Sequence, residues 1–391
     1  MATAVRGRVN RLLRQLLTHS LLLSATPAPS CWSCPHGAKR CLLSEDIVRL
    51  QQYRQNKMEF GKRIYGRKDP YFKSIEEKLE NNIQILRDEL KLLLHLCETP
   101  DDVELVKKVV YRYHAENRNV NSGRYKFGPL FMRLCYELDL EASAVELIKD
   151  QTLHGFFSDS ASFNILMDML FIKGHYERAL EVLLEMRKQG VKFNKNTCTL
   201  AYAICYKLNS PETFKICTTL LEELQFVGDR LPKKACYFAV AFALVQNDVA
   251  KARFFYSHIM NHESRVCTNL NILIQAQSGE LEDLINTLET ATTVGASEYV
   301  KKPKFSNQVL TQIGEKLRKN HALHARFESL YDRLHLLGQV TFLTLDDLLS
   351  PTKKQLLSQN QAHQQTCKML QSALFTEYFQ VWLQIMLHTF K

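Results

Sequence analysis

Glycine and proline are scarce in this sequence, with 14 glycines and 10 prolines in 391 residues. So few turn-forming residues argue against collagen-like, disordered and barrel-like chains, and they favour long helices. Hydrophobic residues make up 46% of the chain and charged residues 24%, which suffices for a sizeable buried core. The length allows two or three domains, or one elongated array.

The motifs of common catalytic sites are also missing. The sequence contains no Gly-rich phosphate loop, no Gly-x-Ser-x-Gly turn and no His-Glu-x-x-His helix. His258 and His262 are spaced by four, but no third metal ligand accompanies them. The cysteine and histidine cluster at 31–41 is denser than the usual spacing of zinc ligands. We therefore expect no catalytic residue, no metal site and no cofactor.

No window of 18 residues is uninterruptedly apolar, so the sequence predicts no membrane span. The apolar stretch 369–390 is broken by polar residues and is interpreted as an amphipathic helix. The 11 cysteines are odd in number and mostly lie inside apolar periodic stretches. This favours buried reduced thiols over a disulfide framework.

Acidic residues are absent before Glu45, whereas six of the cations behind the net charge of +10 precede it. Written as a helix, residues 5–18 place leucines on one stripe and arginines on the opposite one, which is typical of a mitochondrial presequence. A cationic disordered tail is one alternative, and a secretory signal with an interrupted apolar run is another. We expect a transit peptide over 1–44, cleaved between about residues 30 and 44, and a location in the mitochondrial matrix.

Residues 44–73 are rich in cations and aromatic residues. Because cations neutralise phosphates and aromatic faces stack on bases, Lys62, Arg63, Arg67 and Lys68 are candidate nucleic-acid contacts. The alternative is a solvated helix and loop whose aromatic residues dock on the next element.

Two helices are predicted next, over 74–97 and 101–117. Thr99 and Pro100 at their junction suit a helix start, because threonine caps the first turn and proline fits its first position. These helices form a hairpin, so that 45–124 is an N-terminal region of basic, aromatic and helical sequence.

The apolar pattern becomes repetitive over 125–300. Pairs of helical segments recur, Ala144 and Ala179 are 35 residues apart, and so are Gly155 and Gly190. Matched landmarks at one fixed period are typical of a solenoid of helical hairpins. Insertions and deletions at the turns explain the drift of later copies.

The best repeat is 160–194. Its landmarks are Phe163-Asn164, Leu166, Lys173-Gly174, Ala179-Leu180-Glu181, Glu185-Met186 and Gly190-Val191-Lys192. These residues closely resemble the pentatricopeptide repeat, although Phe193 and Asn194 stand where that family usually has proline and aspartate. The tetratricopeptide repeat is the nearest alternative, but its Trp-x2-Leu-Gly-x2-Tyr start is absent.

The resemblance implies an all-α fold, a right-handed superhelical solenoid of helix-turn-helix repeats, in which the first helices line a groove for single-stranded RNA. It also implies that the fifth and last residues of a repeat read one base. In the best repeat these are Asn164 and Asn194, and an Asn amide offers both a donor and an acceptor. Among the other fifth residues, Thr199 and Asn269 are further candidate readers. The alternative for Asn164 is a helix-start cap.

The resemblance further implies binding of single-stranded mitochondrial RNA, with a role in maturation, processing or stability of transcripts. A separate nuclease or ribosomal proteins would then be further partners. A helical-repeat scaffold that binds a protein in mitochondria is the alternative. The last region, 301–391, is predicted to hold more helices without a clear repeat.

Overall fold

The computed structural model describes residues 42–64, 67–117, 126–293 and 302–351. Within these ranges the chain is almost entirely helical, which confirms the predicted all-α fold. Nearly all of the predicted transit peptide, at 1–41, lies outside the described residues, as does the apolar stretch 369–390.

The elements of the described residues are, in chain order, α1 (Glu45–Val48), α2 (Leu50–Ile64), α3 (Lys68–Glu80), α4 (Arg87–Leu96), α5 (Pro100–Asn117), α6 (Gly128–Leu138), α7 (Glu141–Lys149), a 3-10 turn (Gln151–Leu153), α8 (Ser160–Lys173), α9 (Tyr176–Lys188), α10 (Lys195–Leu208), α11 (Pro211–Val227), α12 (Lys233–Val245), α13 (Val249–Ser257), α14 (Arg265–Ser278), α15 (Leu281–Thr293), β1 (Phe305–Ser306), α16 (Asn307–Leu317), α17 (His321–Leu336), β2 (Val340–Thr341) and α18 (Leu345–Leu349). All of them lie within one unit, Leu42–Leu349.

From α4 onward the helices alternate between two layers. The first helices of the hairpins, α4, α6, α8, α10, α12, α14 and α16, pack side by side, and each also packs against the helix that follows it. A single hairpin cannot bury its apolar face alone, so stacking on neighbouring hairpins closes the core. The described residues therefore contain seven stacked hairpins of a solenoid.

The turns within the hairpins confirm the predicted period. Asp139, Gly174 and Asn209 are spaced by 35 residues, and their φ angles are 63°, 81° and 48°. This left-handed backbone is open to glycine and is tolerated by Asn and Asp, and it ends each first helix. Asn209 thus takes the place of the glycine that the repeat pattern leads one to expect.

The prediction of one continuous helix over 74–97 is wrong, because the structure has two helices there. α3 ends at Glu80 and α4 begins at Arg87, and Asn82 between them has a left-handed φ of 56°. The Glu89 side chain accepts a hydrogen bond from the backbone N–H of Leu86 at 3.0 Å, which fixes the start of α4. Apolar residues keep helical spacing through this break, so the sequence pattern conceals it.

The predicted helix over 101–117 is confirmed as α5. Its start is capped as expected, because Thr99 Oγ1 accepts from the backbone N–H of Asp102 at 3.2 Å. Asp102 Oδ2 accepts in return from the backbone N–H of Thr99 at 3.1 Å. This reciprocal pair satisfies two backbone donors that the helix itself leaves open.

The hairpin stack continues past residue 300. α16 packs on α14, and α17 packs on α15, so these two helices extend both layers. Phe305 and Ser306 pair in parallel with Val340 and Thr341 beside them. Gly314 lies 35 residues after the turn at Gly279, but it is inside α16 with Phe327 against its backbone. The longer connection before α16 shifts the turn, and this explains why the sequence shows no clear repeat here.

Both ends of the unit lie on the first helices. α1 packs on α8, α2 packs on α4 and α6, and α18 packs on α12 and α14. The other sides of the first helices pack against neighbouring first helices and against the second helices. Residues 42–64 and 341–349 therefore lie over the one remaining face of the first helices. We call this the covered face. Leu42, Leu43 and Val48 are each only 5% exposed there, and burying such a side chain contributes about 1.5–3 kcal/mol.

The cysteines of the described residues are reduced and buried, as predicted. They are Cys97, Cys135, Cys198, Cys205, Cys217, Cys236 and Cys267. Burial raises the pKa of the Cys198 thiol and of the Cys236 thiol to about 11, which makes both poor nucleophiles. A search of the described residues for helices that are long and apolar enough to cross a membrane finds none.

His95 on α4 is enclosed by the helix that precedes the hairpin array. Its ring lies 5.4 Å from the Tyr53 ring and 4.7 Å from the Phe60 ring of α2. Its Nδ1 lies 2.7 Å from the carbonyl oxygen of Lys91, and the residue is 1% exposed. Desolvation lowers the pKa of His95, so the imidazole is neutral in the folded chain at neutral pH.

This burial predicts a pH-dependent stability. Because the folded pKa of His95 lies below its ordinary value of about 6.5, the unfolded chain takes up a proton that the folded chain does not, and the free energy of unfolding falls as pH drops through that value. Replacing His95→Phe keeps an aromatic ring between Tyr53 and Phe60 and removes the titration. Urea unfolding between pH 7.5 and 5 is expected to show a shallower loss of stability for the variant. An equally steep loss in both proteins would contradict this assignment.

Candidate nucleic-acid interface

The structure brings Asn164 and Asn194 together, as the repeat resemblance implies. Asn164 Nδ2 donates to Asn194 Oδ1 at 3.2 Å, although the two residues are 30 positions apart. Asn194 caps α10, since its Oδ1 also accepts from the backbone N–H groups of Asn196 and Thr197 at 3.0 and 2.9 Å. Asn194 Nδ2 donates to Ser160 Oγ at 2.8 Å. The pair therefore connects the starts of two neighbouring first helices, α8 and α10.

The two asparagines differ in their access to solvent. Asn164 is 1% exposed, and its Oδ1 accepts from Thr197 Oγ1 at 2.8 Å. Asn194 is exposed. Asn164 is not the cap of its own helix, because Asp159 Oδ1 accepts from the backbone N–H of Ser162 at 2.9 Å in that role. Asn164 thus bonds to the residue that caps the next first helix, and Asn194 is the member of the pair that is exposed to solvent.

The same connection recurs farther along the stack. Tyr237, the fifth residue of its repeat, has its hydroxyl 2.8 Å from Oγ of Ser264, which caps α14. Asn269, again a fifth residue, accepts from the backbone N–H of Ser306 at 2.7 Å and donates to the carbonyl of Lys304 at 3.0 Å. Asn164, Tyr237 and Asn269 thus join their first helices to the start of the next one. Thr199, the fifth residue on α10, instead bonds within its own helix. The sequence pattern identifies these positions but not this use of them.

The other two candidate readers are buried. Asn269 is 0% exposed, and it donates a further hydrogen bond to the carbonyl of Arg265 at 2.7 Å. Thr199 is 6% exposed, and its Oγ1 donates to the carbonyl of Lys195 at 2.9 Å. Neither side chain presents a polar group to solvent in this arrangement.

The aromatic residues of the basic segment dock on the hairpin array. Tyr53 donates its hydroxyl to the carbonyl of Leu94 at 2.8 Å, and Tyr71 donates to the carbonyl of Glu89 at 2.9 Å. Phe60 packs against His95. These rings are used inside the protein, as in the solvated-helix alternative.

The four candidate cations of this segment have different surroundings. Lys68 Nζ lies 2.9 Å from Asp102 Oδ2 and 3.1 Å from Glu98 Oε2. Burial disfavours the charged ammonium of Lys68, but hydrogen bonds to Asp102 and Glu98 outweigh this, so its pKa is raised. Lys62, Arg63 and Arg67 are exposed, and no carboxylate of the described residues pairs with them.

A larger set of cations lies where the first helices begin. The resemblance implies that Val191, Lys192 and the helix starts position the RNA backbone, but the sequence does not reveal the full set of cations. The edge formed by the first residues of α6, α8, α10, α12, α14 and α16 and by the loops before them is called here the start edge. Exposed cations without an ion-pair partner among the described residues occur all along it: Lys126, Lys192, Lys195, Arg230, Lys233, Lys234, Arg265 and Lys302. Among the described residues, the acids of this edge are Asp159, Asp229 and Glu263.

The opposite edge, where the first helices end, has ion pairs near α8 and α14, whereas Lys316, Arg318 and Lys319 at the end of α16 are exposed and have no ion-pair partner among the described residues. Lys173 lies 2.9 Å from Asp139 Oδ1 and also pairs with Glu141. Arg253 pairs with Glu280. Cations and acids are mixed along the chain, so the sequence read in order does not show that the two edges differ in charge. A count of charges at each repeat position would have revealed this difference.

A cleft of about 440 Å³ opens on the start edge. It lies between the loops 154–160 and 189–192, and Lys126 and Lys192 line it. Ser160 is shared between the cleft and the Asn164–Asn194 pair through its hydrogen bond to Asn194. Two cations and the start of α8 therefore meet beside the one exposed candidate reader, an arrangement suited to an anion.

The described residues hold no group of three His, Cys, Asp or Glu side chains that could bind a metal ion. His258 Nδ1 lies 2.7 Å from the carbonyl of Phe254, and the His262 ring packs 4.8 Å from the Tyr256 ring. The cluster at 31–41 lies outside the described residues.

Comparison with known proteins identifies two groups of relatives. Residues 20–218 match the family described as mitochondrial 28S ribosomal protein S27. The chain is 53% identical over 365 residues to pentatricopeptide repeat-containing protein 2, mitochondrial, of Xenopus laevis, covering 92% of this chain and 95% of that protein. The protein of the same name from Homo sapiens is 51% identical over 385 residues, covering 96% and 99%. That of Danio rerio is 46% identical over 354 residues, covering 89% and 92%.

Proposed function

The chain belongs to the family of mitochondrial pentatricopeptide repeat-containing protein 2, and on that premise we propose that it binds single-stranded RNA in the mitochondrial matrix without acting on it chemically. One observation carries this proposal. Asn194, held by Asn164, stands exposed on an edge where eight exposed cations have no ion-pair partner among the described residues. A base-reading amide beside a row of cations suits a polyanion with unstacked bases.

The role of each candidate residue follows from its surroundings. Asn194 reads a base edge, and Asn164 positions it through their hydrogen bond. Lys62, Arg63 and Arg67 neutralise phosphates. Lys68 contacts no phosphate, because Asp102 and Glu98 already pair with its ammonium group. Thr199 and Asn269 do not read bases, because both side chains are buried.

Binding of this kind would serve maturation, processing or stability of mitochondrial transcripts. A protein that covers a segment of RNA can protect it, remodel it or present it to a separate nuclease. A scaffold that binds a protein, such as a ribosomal protein, is the second candidate function. It is favoured by the match of residues 20–218 to a family named for a ribosomal protein.

Ionic strength distinguishes the two candidate functions. Each phosphate contact with single-stranded RNA contributes about −0.7 to the slope of log affinity against log salt. Affinity for RNA is therefore expected to fall at least about tenfold between 50 and 200 mM salt. The triple change Lys62→Gln, Arg63→Gln and Arg67→Gln is expected to flatten this slope by up to about 2. Fluorescence anisotropy with labelled RNA measures both. RNA binding that is absent, or indifferent to salt, would reject the proposal.

Base reading is tested at Asn194. Asp at this position can still accept from the backbone N–H groups of Asn196 and Thr197, so Asn194→Asp preserves the helix cap. By the pairing pattern of the family, the variant is expected to shift preference toward uracil at one RNA position, by about 1–3 kcal/mol if the contact resembles a bidentate base contact in DNA. Selection from randomised RNA measures the shift, and Asn286→Asp on α15 is the control. A uniform loss over all RNA sequences would contradict base reading.

A further inference from the structure

The covered face of the solenoid is already bound by the chain itself near its N-terminal side. The backbone N–H groups of Leu42 and Leu43 donate to Asp168 Oδ1 at 3.0 and 3.1 Å. Arg133 Nε donates to the carbonyl of Val48 at 2.6 Å. Arg133 and Asp168 are 35 residues apart, so they occupy the same position in consecutive repeats. On α6 and α8, this position therefore binds the chain's own backbone.

The C-terminal side of the covered face is bound in the same way. Asp346 accepts from the Tyr206 hydroxyl at 2.9 Å and from Lys207 Nζ at 2.9 Å, which ties α18 to α10. Ser306 Oγ donates to the carbonyl of Leu343 at 2.6 Å. Burial and the nearby Asp346 carboxylate raise the pKa of Tyr206. The Asp346 carboxylate thus occupies the Lys207 ammonium, so this cation of the covered face is not free to pair with a phosphate.

Helix α8 shows how little of this face is left for a ligand. Every residue from Ser162 to Phe171 is buried, including Asn164 and Asp168. A helix that is buried all round has its open side filled by other parts of the chain. The most complete repeat is therefore closed toward the face that would form a groove.

The start edge is open by contrast. Lys126 and Lys192 are exposed and line the 440 Å³ cleft, and Lys195 at the start of α10 is exposed as well. Asp159, the acid that lines this cleft, accepts from the backbone N–H of Ser162 at 2.9 Å and from its hydroxyl at 3.1 Å, so it is engaged as a cap. Neighbouring packed helices lie about 8–10 Å apart, which spaces the cations of successive helix starts along a continuous track.

We propose that single-stranded RNA runs along the start edge, with a backbone phosphate in the cleft between Lys126 and Lys192, and stays outside the covered face. This inference rests on the proposed function and specifies its surface. The base beside that phosphate meets Asn194, because Ser160 belongs to the cleft and bonds to Asn194. Residues 42–64 and 341–349 seal the covered face, while Lys62 and Arg63 at the end of α2 are exposed and remain available to phosphates.

The test compares three double variants of the full chain. Lys126→Gln with Lys192→Gln removes the cleft cations. Lys108→Gln with Lys215→Gln removes two exposed cations of the second helices α5 and α11, which also lack an ion-pair partner among the described residues. Tyr206→Phe with Asp346→Asn loosens the seal on the covered face. Labelled single-stranded RNA of about 20 nucleotides is titrated with each protein at several salt concentrations, and thermal unfolding verifies that each variant is folded.

The cleft variant is expected to bind RNA about 5-fold more weakly at 0.1 M salt, with a slope flattened by about 0.7, as for one lost phosphate contact. The other two variants are expected to stay within about twofold of the unmodified chain. A cleft variant that binds normally would overturn the inference while leaving the proposed function intact. So would a several-fold gain in the seal variant, because RNA would then be competing for the covered face. Loss of RNA binding by the unmodified chain would instead reject the proposed function itself.

Discussion

Three hairpins of the solenoid are joined to the next at the start of the following first helix, from α8 to α10, from α12 to α14 and from α14 to α16, and the register of the stack depends on these junctions. Asn164 bonds to Asn194 and Thr197, and Asn269 bonds to the backbone at Ser306. Buried amides that lose their partners cost about 1–3 kcal/mol. At these junctions the fifth residue of the repeat is therefore used for stacking, which limits what its side chain can offer to a ligand.

That constraint places the accessible chemistry at one edge. The junction buries Asn164 and turns Asn194 outward, and the same helix starts have exposed cations such as Lys192 and Lys195. The two ends of the unit cover the remaining face of the first helices, with Asp168 and Asp346 as their anchors. Stability and function are thus divided between two surfaces of the same helices, a buried face and a charged edge.

The fold could be predicted largely from the sequence because period and turn chemistry agree. The spacing of Ala144 and Ala179 predicts hairpins of 35 residues. The turn residues Asp139, Gly174 and Asn209 have the same spacing and adopt the left-handed backbone that such turns need. The break at Asn82 was missed because apolar residues keep helical spacing across it. The hairpin of α16 and α17 was missed because a longer connection displaces its turn.

The candidate site could be predicted only in part. The repeat pattern brings Asn164 and Asn194 together, and their contact confirms that placement. Asn269 bonds to Lys304, which is 35 positions away, and Lys68 pairs with Asp102, which is 34 positions away. A local sequence pattern does not reveal such distant partners. The cations of the start edge are dispersed over the sequence, and only the parallel arrangement of the first helices collects them.

Hydrogen–deuterium exchange of the full chain with and without single-stranded RNA tests the central claim most directly. The account predicts slower exchange in the loops and first turns of the start edge, at 189–196 and 230–235, when RNA is bound. It predicts unchanged exchange in the segments 42–50 and 341–349 that seal the covered face. Faster exchange in those two segments, with no protection at the start edge, would show that RNA displaces the seal, and would contradict the account.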